Sequence, residues 1–132
     1  MSLLSPRNLF TMPINGVDQA TKESNVLTLL YELIDALLDK QEKAIRENPS
    51  DEINRMQYGF KEGKRFYKLT ESRHNSEPHG SVHCFVEKDT GFVFKAAGWS
   101  QPAKGVRYDL SDPESKARCL ANCDRYGSYL YR

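Results

Sequence analysis

Three cysteines, no long apolar run and a formal net charge of only +1 mark what this 132-residue chain does without. Cys84, Cys119 and Cys123 are odd in number and lack the spaced pairs of a small secreted scaffold, so free thiols in a reducing cytoplasm are expected. The opening "MSLLSPRNLFTMPING" scatters Leu and Phe without an apolar run of signal-peptide length. No later stretch approaches the roughly 18 apolar residues that a membrane span requires. A soluble, unprocessed protein with no membrane partner is the expectation. There is no internal repeat and no low-complexity tract. The length suits one domain able to bury a core without a disulfide or a metal.

Near-neutrality argues against both a wholly basic nucleic-acid protein and an acidic tail, yet it conceals two unlike halves. Asp18 to Glu52 carries nine acids against four bases, whereas Arg55 to Tyr108 carries ten bases against five acids and nine aromatic residues. Catalytic motifs are also missing. Asp89-Thr90-Gly91 spells the triplet of aspartic proteases, but that chemistry needs two aspartates sharing a proton, one from each of two triplets, and the chain has one. The triplet reads as a hairpin turn in which Gly91 takes positive φ. "GFKEGKR", Gly59 to Arg65, is one residue short of a phosphate loop and has Arg65 where Ser or Thr should stand. His74, His79, His83, Cys84, Cys119 and Cys123 could ligate zinc on paper. Only Cys119 and Cys123 are closely paired, however, so loop histidines and small buried thiols are expected, with no metal and no cofactor. No thiol is marked as an activated nucleophile.

What is present reads as an α+β domain. Residues 1–16 read as an extended arm whose Leu9, Phe10 and Ile14 could dock on a body or a partner, and residues 17–132 are expected to form the single domain. Val26, Leu27, Leu30, Ile34, Leu37, Leu38 and Ile45 recur at three- and four-residue steps, predicting an amphipathic helix over Thr21 to Glu47 that stops at Asn48-Pro49. Leu29, Tyr31 and Leu33 widen the apolar stripe beyond one packing partner, which suggests a homodimer interface there. Asp51 to Tyr58 is read as a further short helical stretch. "KRFYKLTE", Lys64 to Glu71, alternates as a strand. Glu71 to Gly80 has no apolar anchor and is the expected mobile loop. Ser81 to Ala97 makes the central hairpin, and Val106 to Leu110 a short strand. Ser111-Asp112-Pro113-Glu114 offers a cap and capping box for a helix to about Asp124. Tyr126, Tyr129 and Tyr131 belong to a final strand or docked tail. The small antiparallel sheet is thus packed by a long N-terminal and a shorter C-terminal helix.

"KAAGWSQPAKGVRYDL", Lys95 to Leu110, holds the sole tryptophan among Lys95, Lys104 and Arg107. Aromatic faces stack on unpaired bases while Lys and Arg follow phosphates. The competing reading is that Trp99 plugs the core at the end of the hairpin. The wider run "SVHCFVEKDTGFVFKAAGWSQPAKGVRYDL", Ser81 to Leu110, resembles the shared core of a family of small uncharacterised proteins of tailed bacteriophages, including marine ones. There a Phe-Val, a Thr-Gly turn, Lys-Ala-Ala, a Trp, Pro-Ala-Lys-Gly and an Arg follow in this order. "ANCDRYGSYLYR" is a looser echo. The resemblance implies a phage accessory protein acting in the host cytoplasm and implies no catalytic residue. The expected function is therefore a non-enzymatic binding module presenting Lys64, Arg65, Lys68, Lys95, Trp99, Lys104 and Arg107 to single-stranded nucleic acid. The alternative is a protein-interaction module that dimerises or captures a host protein.

Overall fold

A 29-residue helix, α1 (Gln19–Glu47), lies on one face of a five-stranded antiparallel sheet in this computed structural model, which describes residues 19–131. The arm expected over residues 1–16 lies outside them. The strands β1 (Met56–Glu62), β2 (Phe66–Arg73), β3 (Ser81–Glu87), β4 (Phe92–Lys95) and β5 (Tyr108–Asp109) pair in chain order. A second helix, α2 (Pro113–Asn122), and a 3₁₀ turn, Ser128–Leu130, complete the α+β fold. No helix among the described residues is long and apolar enough to cross a membrane.

The helical period decides what α1 buries. Val26, Leu30, Leu33, Ile34 and Leu37 meet Tyr67, Leu69, Cys84, Val86, Val93 and Leu110 in one core, joined by Cys119, Cys123 and Leu130. Leu33 is 0 % exposed, which corrects its expected place at a subunit interface. Leu29 is half-buried against the core, whereas Tyr31 is 49 % exposed and meets Phe60 edge to face at 5.7 Å. Lys116 pairs with Glu32 at 2.8 Å. Lys40 Nζ donates to the carbonyls of Ala121 (2.6 Å) and Cys123 (2.7 Å), so a cation from α1 caps the carboxyl end of α2. At its other end α2 is capped by Asp112, whose carboxylate accepts from Ser115 N at 2.9 Å. The capping box expected of Ser111 and Glu114 does not form, because the Ser111 hydroxyl donates to Asp109 instead.

Two expectations are corrected between Asn48 and Gly80. The helical stretch predicted over Asp51 to Tyr58 is a 3₁₀ turn, Pro49–Asn54, and Met56 already begins a strand. The Gln41 side chain bonds both backbone groups of Met56 (2.8 and 3.0 Å), supplying the hydrogen bonds that an edge strand lacks. The loop predicted over Glu71 to Gly80 is tied down by polar contacts where apolar ones were sought. Ser72 and Arg73 continue the pairing with β1, and Gln57 Nε2 donates to the carbonyls of Arg73 and Ser76. His79, held at φ 61°, lies within 2.6 Å of Thr70 Oγ1 through Nδ1, and its ring covers the bare Cα of Gly59.

The turn reading of Asp89-Thr90-Gly91 agrees with the structure. Gly91 has φ 83°, and Thr90 Oγ1 donates to Glu87 while accepting from Phe92 N at 3.0 Å. In β3 the register slips between Leu69 and Thr70, so that Cys84 faces Leu69 and Val82 faces Thr70. The extra residue, His83, turns inward. Its Nδ1 lies 2.9 Å from Glu71 Oε1 and its Nε2 2.7 Å from the Tyr129 hydroxyl, docking the C-terminal tail on the sheet.

Candidate nucleic-acid interface

Alternation along β2 separates two sheet faces. Tyr67 and Leu69 point to α1, so Phe66 and Lys68 point away from it. Register then lines up Lys61, Lys68, Phe85 and Phe94 across β1 to β4 on this outer face. Basic side chains thus stand at the sheet edge and aromatic ones at its centre. Phe66 contacts Phe85 and Phe94 edge to face at 5.7 and 5.8 Å. Such pairs hold rings in fixed orientations.

The segment after β4 folds back over this face. Ala97 N donates to Gln101 O and Ala103 N to Lys95 O, each at 2.7 Å, with Ala96 bridged to Pro102. The loop carries Trp99 onto the sheet, where Lys68 Nζ sits 4.0 Å and Lys61 Nζ 5.9 Å from the indole centre. Trp99 is 46 % exposed and does not plug the core. A pocket of about 330 Å³ lies beside it, walled by Lys61, Lys64, Arg65 and Lys68 over Phe66 and Phe85. Glu62, also in its wall, is engaged by Lys88 Nζ at 2.7 Å. Arg65 bonds Glu87 at 2.8 Å and lies over the Phe66 ring, yet its side chain stays 69 % exposed. Four cations against one paired carboxylate leave this pocket electropositive.

The residues expected to bind nucleic acid separate into four groups. Lys64, Arg65, Lys68 and Trp99 come together. Lys95 is on the α1 side, since it pairs with Cys84, and its Nζ lies 4.7 Å from the Tyr131 ring centre. Arg107 is a structural clamp that donates to the carbonyls of Leu130 (2.6 Å), Lys104 (2.8 Å) and Gly105 (2.6 Å). Lys104 is exposed on the Trp99 loop, outside the walls of that pocket. Lys61, Phe66, Phe85 and Phe94 were missed as site residues. Alternation in "KRFYKLTE" already puts Phe66 on the face of Lys68, but only strand register adds the other three.

The thiols are unsuited to nucleophilic work. Burial pushes Cys84 well above the usual range, Cys119 up to about 12, and Cys123 upward. Among the described residues, no group of three or more His, Cys, Asp or Glu side chains is placed to hold a metal ion.

No curated protein and no solved structure matches the chain. A sequence family does match, over residues 13–132, which include every described strand and helix and the basic outer face. The chain belongs to that family, the family of unknown function DUF7717.

Proposed function

We propose that the outer sheet face binds single-stranded nucleic acid and performs no chemistry on it, as an accessory protein of a tailed bacteriophage acting in the host cytoplasm. The observation that carries this reading is the row Lys61, Lys68, Phe85, Phe94 with Trp99 seated over Lys68. Cations along one margin suit a phosphate backbone, and a half-exposed indole suits an unpaired base, whose stacking is largely indifferent to sequence. A pocket of about 330 Å³ is at the small end of ligand sites and opens on the sheet surface, as an extended strand requires.

Trp99 is the sole tryptophan, so its fluorescence reports the site alone. Titration with a single-stranded oligonucleotide at low salt is expected to quench it. If Lys61, Lys64, Arg65 and Lys68 each meet a phosphate, log affinity falls against log salt with a slope of about −3. Absence of both quenching and salt-dependent binding overturns the reading. One observation favours the interaction module: Tyr31, half exposed, lies against Phe60 on the edge strand β1. That reading predicts dimerisation, visible by sedimentation, with no oligonucleotide binding.

A further inference from the structure

Two pockets of unlike character flank the Trp99 loop, one with Ser100 in its wall and the other with Trp99 itself. The first, described above, is electropositive. The second, about 290 Å³, is framed by Gly80, Ser81, Val82, Ala96, Ala97 and Gly98 and has no charged residue in its wall. Both open on the outer face, because Val82 pairs with Thr70 and Ala96 follows Phe94 by two residues. The two pockets differ in what they can hold. A phosphate group belongs among the cations, where its charge is compensated. In the uncharged pocket it would lose hydration without gaining a counter-charge. A nucleobase suits the second pocket, which has an aromatic wall and small side chains.

Resting on the reading of this face as a single-strand site, we infer that the strand is held in two parts. Its phosphates follow Lys61, Lys64, Arg65 and Lys68, and one unpaired base turns past Trp99 into the pocket between Gly80–Ser81 and Ala96–Gly98. The ligand is therefore an unpaired nucleotide within a strand. A polyanion without bases engages only the first pocket. A paired base, whose edge and faces are already occupied, does not enter the second.

Gly98 allows a direct test. A Cβ added there meets nothing within 4 Å and Gly98 does not have positive φ, so a side chain can be added in the wall of the pocket without a clash at Cβ or backbone strain. Binding of a thymidine hexamer and of the same hexamer lacking all bases is compared by competition against a labelled strand. The wild-type protein is expected to prefer the base-bearing hexamer roughly 5- to 150-fold, the equivalent of one stacked base. Gly98→Leu, and independently Ala97→Leu, is expected to bring that ratio close to one while leaving the affinity and salt slope of the baseless hexamer unchanged. A ratio that survives both substitutions shows that the base stacks elsewhere and overturns the inference, while the single-strand reading stands. Equal weakening of both hexamers by both variants also overturns it. Failure of the wild-type protein to bind either hexamer removes the underlying reading as well.

Discussion

Tyr129→Phe removes one oxygen from the contact that docks the C-terminal tail, and its cost follows from what remains. The His83 side chain is 2 % exposed, with Glu71 on one nitrogen and Tyr129 on the other. Burial raises the Tyr129 hydroxyl far above its usual range, so it stays protonated and can donate to Nε2, leaving Nδ1–H to donate to Glu71. In Tyr129→Phe the ring keeps its packing on His83 and Tyr108, but Nε2 is left buried without a partner, costing about 1–3 kcal/mol. His83→Leu strands the Tyr129 hydroxyl, at a similar cost of about 1–3 kcal/mol. Glu71, whose side chain is 18 % exposed, can turn partly to water. The double variant removes both buried partners, so its loss should fall short of the two single losses added together by about 1–3 kcal/mol. Urea denaturation followed by circular dichroism measures all four proteins, with an unchanged m-value required for the comparison. Additivity to within about 0.5 kcal/mol would refute the view that these groups stabilise the fold through each other. Oligonucleotide affinity should be unchanged in all variants that fold, because the contact lies on the α1 side of the sheet.

Leu33→Ala is expected to cost about 2–5 kcal/mol by opening the core, whereas Tyr31→Ala, at a half-exposed position, should cost under about 1 kcal/mol; chemical denaturation separates them. Arg107→Ala should loosen the tail at Leu130, seen as faster amide exchange there, without altering the salt slope of oligonucleotide binding, whereas Lys68→Gln should flatten that slope by about 0.7. The three thiols should react with a disulfide reagent at pH 8 only as fast as the protein opens. Because burial raises their folded pKa values, the unfolded chain releases these protons first. Their contribution is therefore complete below about pH 9 and is lost as pH rises through the folded values, about 12 for Cys119, which thermal melts across this range can follow. Among the described residues the buried Tyr58 hydroxyl has no hydrogen-bond partner, so Tyr58→Phe should leave stability unchanged or raise it by up to about 1 kcal/mol, read from the same denaturation curves.

Elements governed by near neighbours in the chain were legible in the sequence. The three- and four-residue apolar spacing of α1, the positive φ of Gly91 in the β3–β4 turn and the Asp112-Pro113 start of α2 each depend on atoms within about one turn of chain, so composition and order suffice. Wheel geometry, also local, could have separated Tyr31 from Leu33, since residues two apart on a helix do not share a face. β1 was not legible. Met56 to Glu62 contains Gly59 and few strand-forming residues, and its strand state comes from pairing with β2 and from Gln41 fifteen residues away. The membership of the basic face was also beyond the sequence. Whether Lys61 or Arg107 stands beside Trp99 depends on register and on where a loop lands, and a slip of one residue sends a side chain to the opposite face. His83 shows this within a single strand, where one bulge turns it from the outer surface into the core beside Cys84. The amino-acid sequence determined that cations and aromatics would be plentiful in this half of the chain; strand pairing alone decided which of them meet, because that depends on hydrogen bonds between segments far apart in sequence.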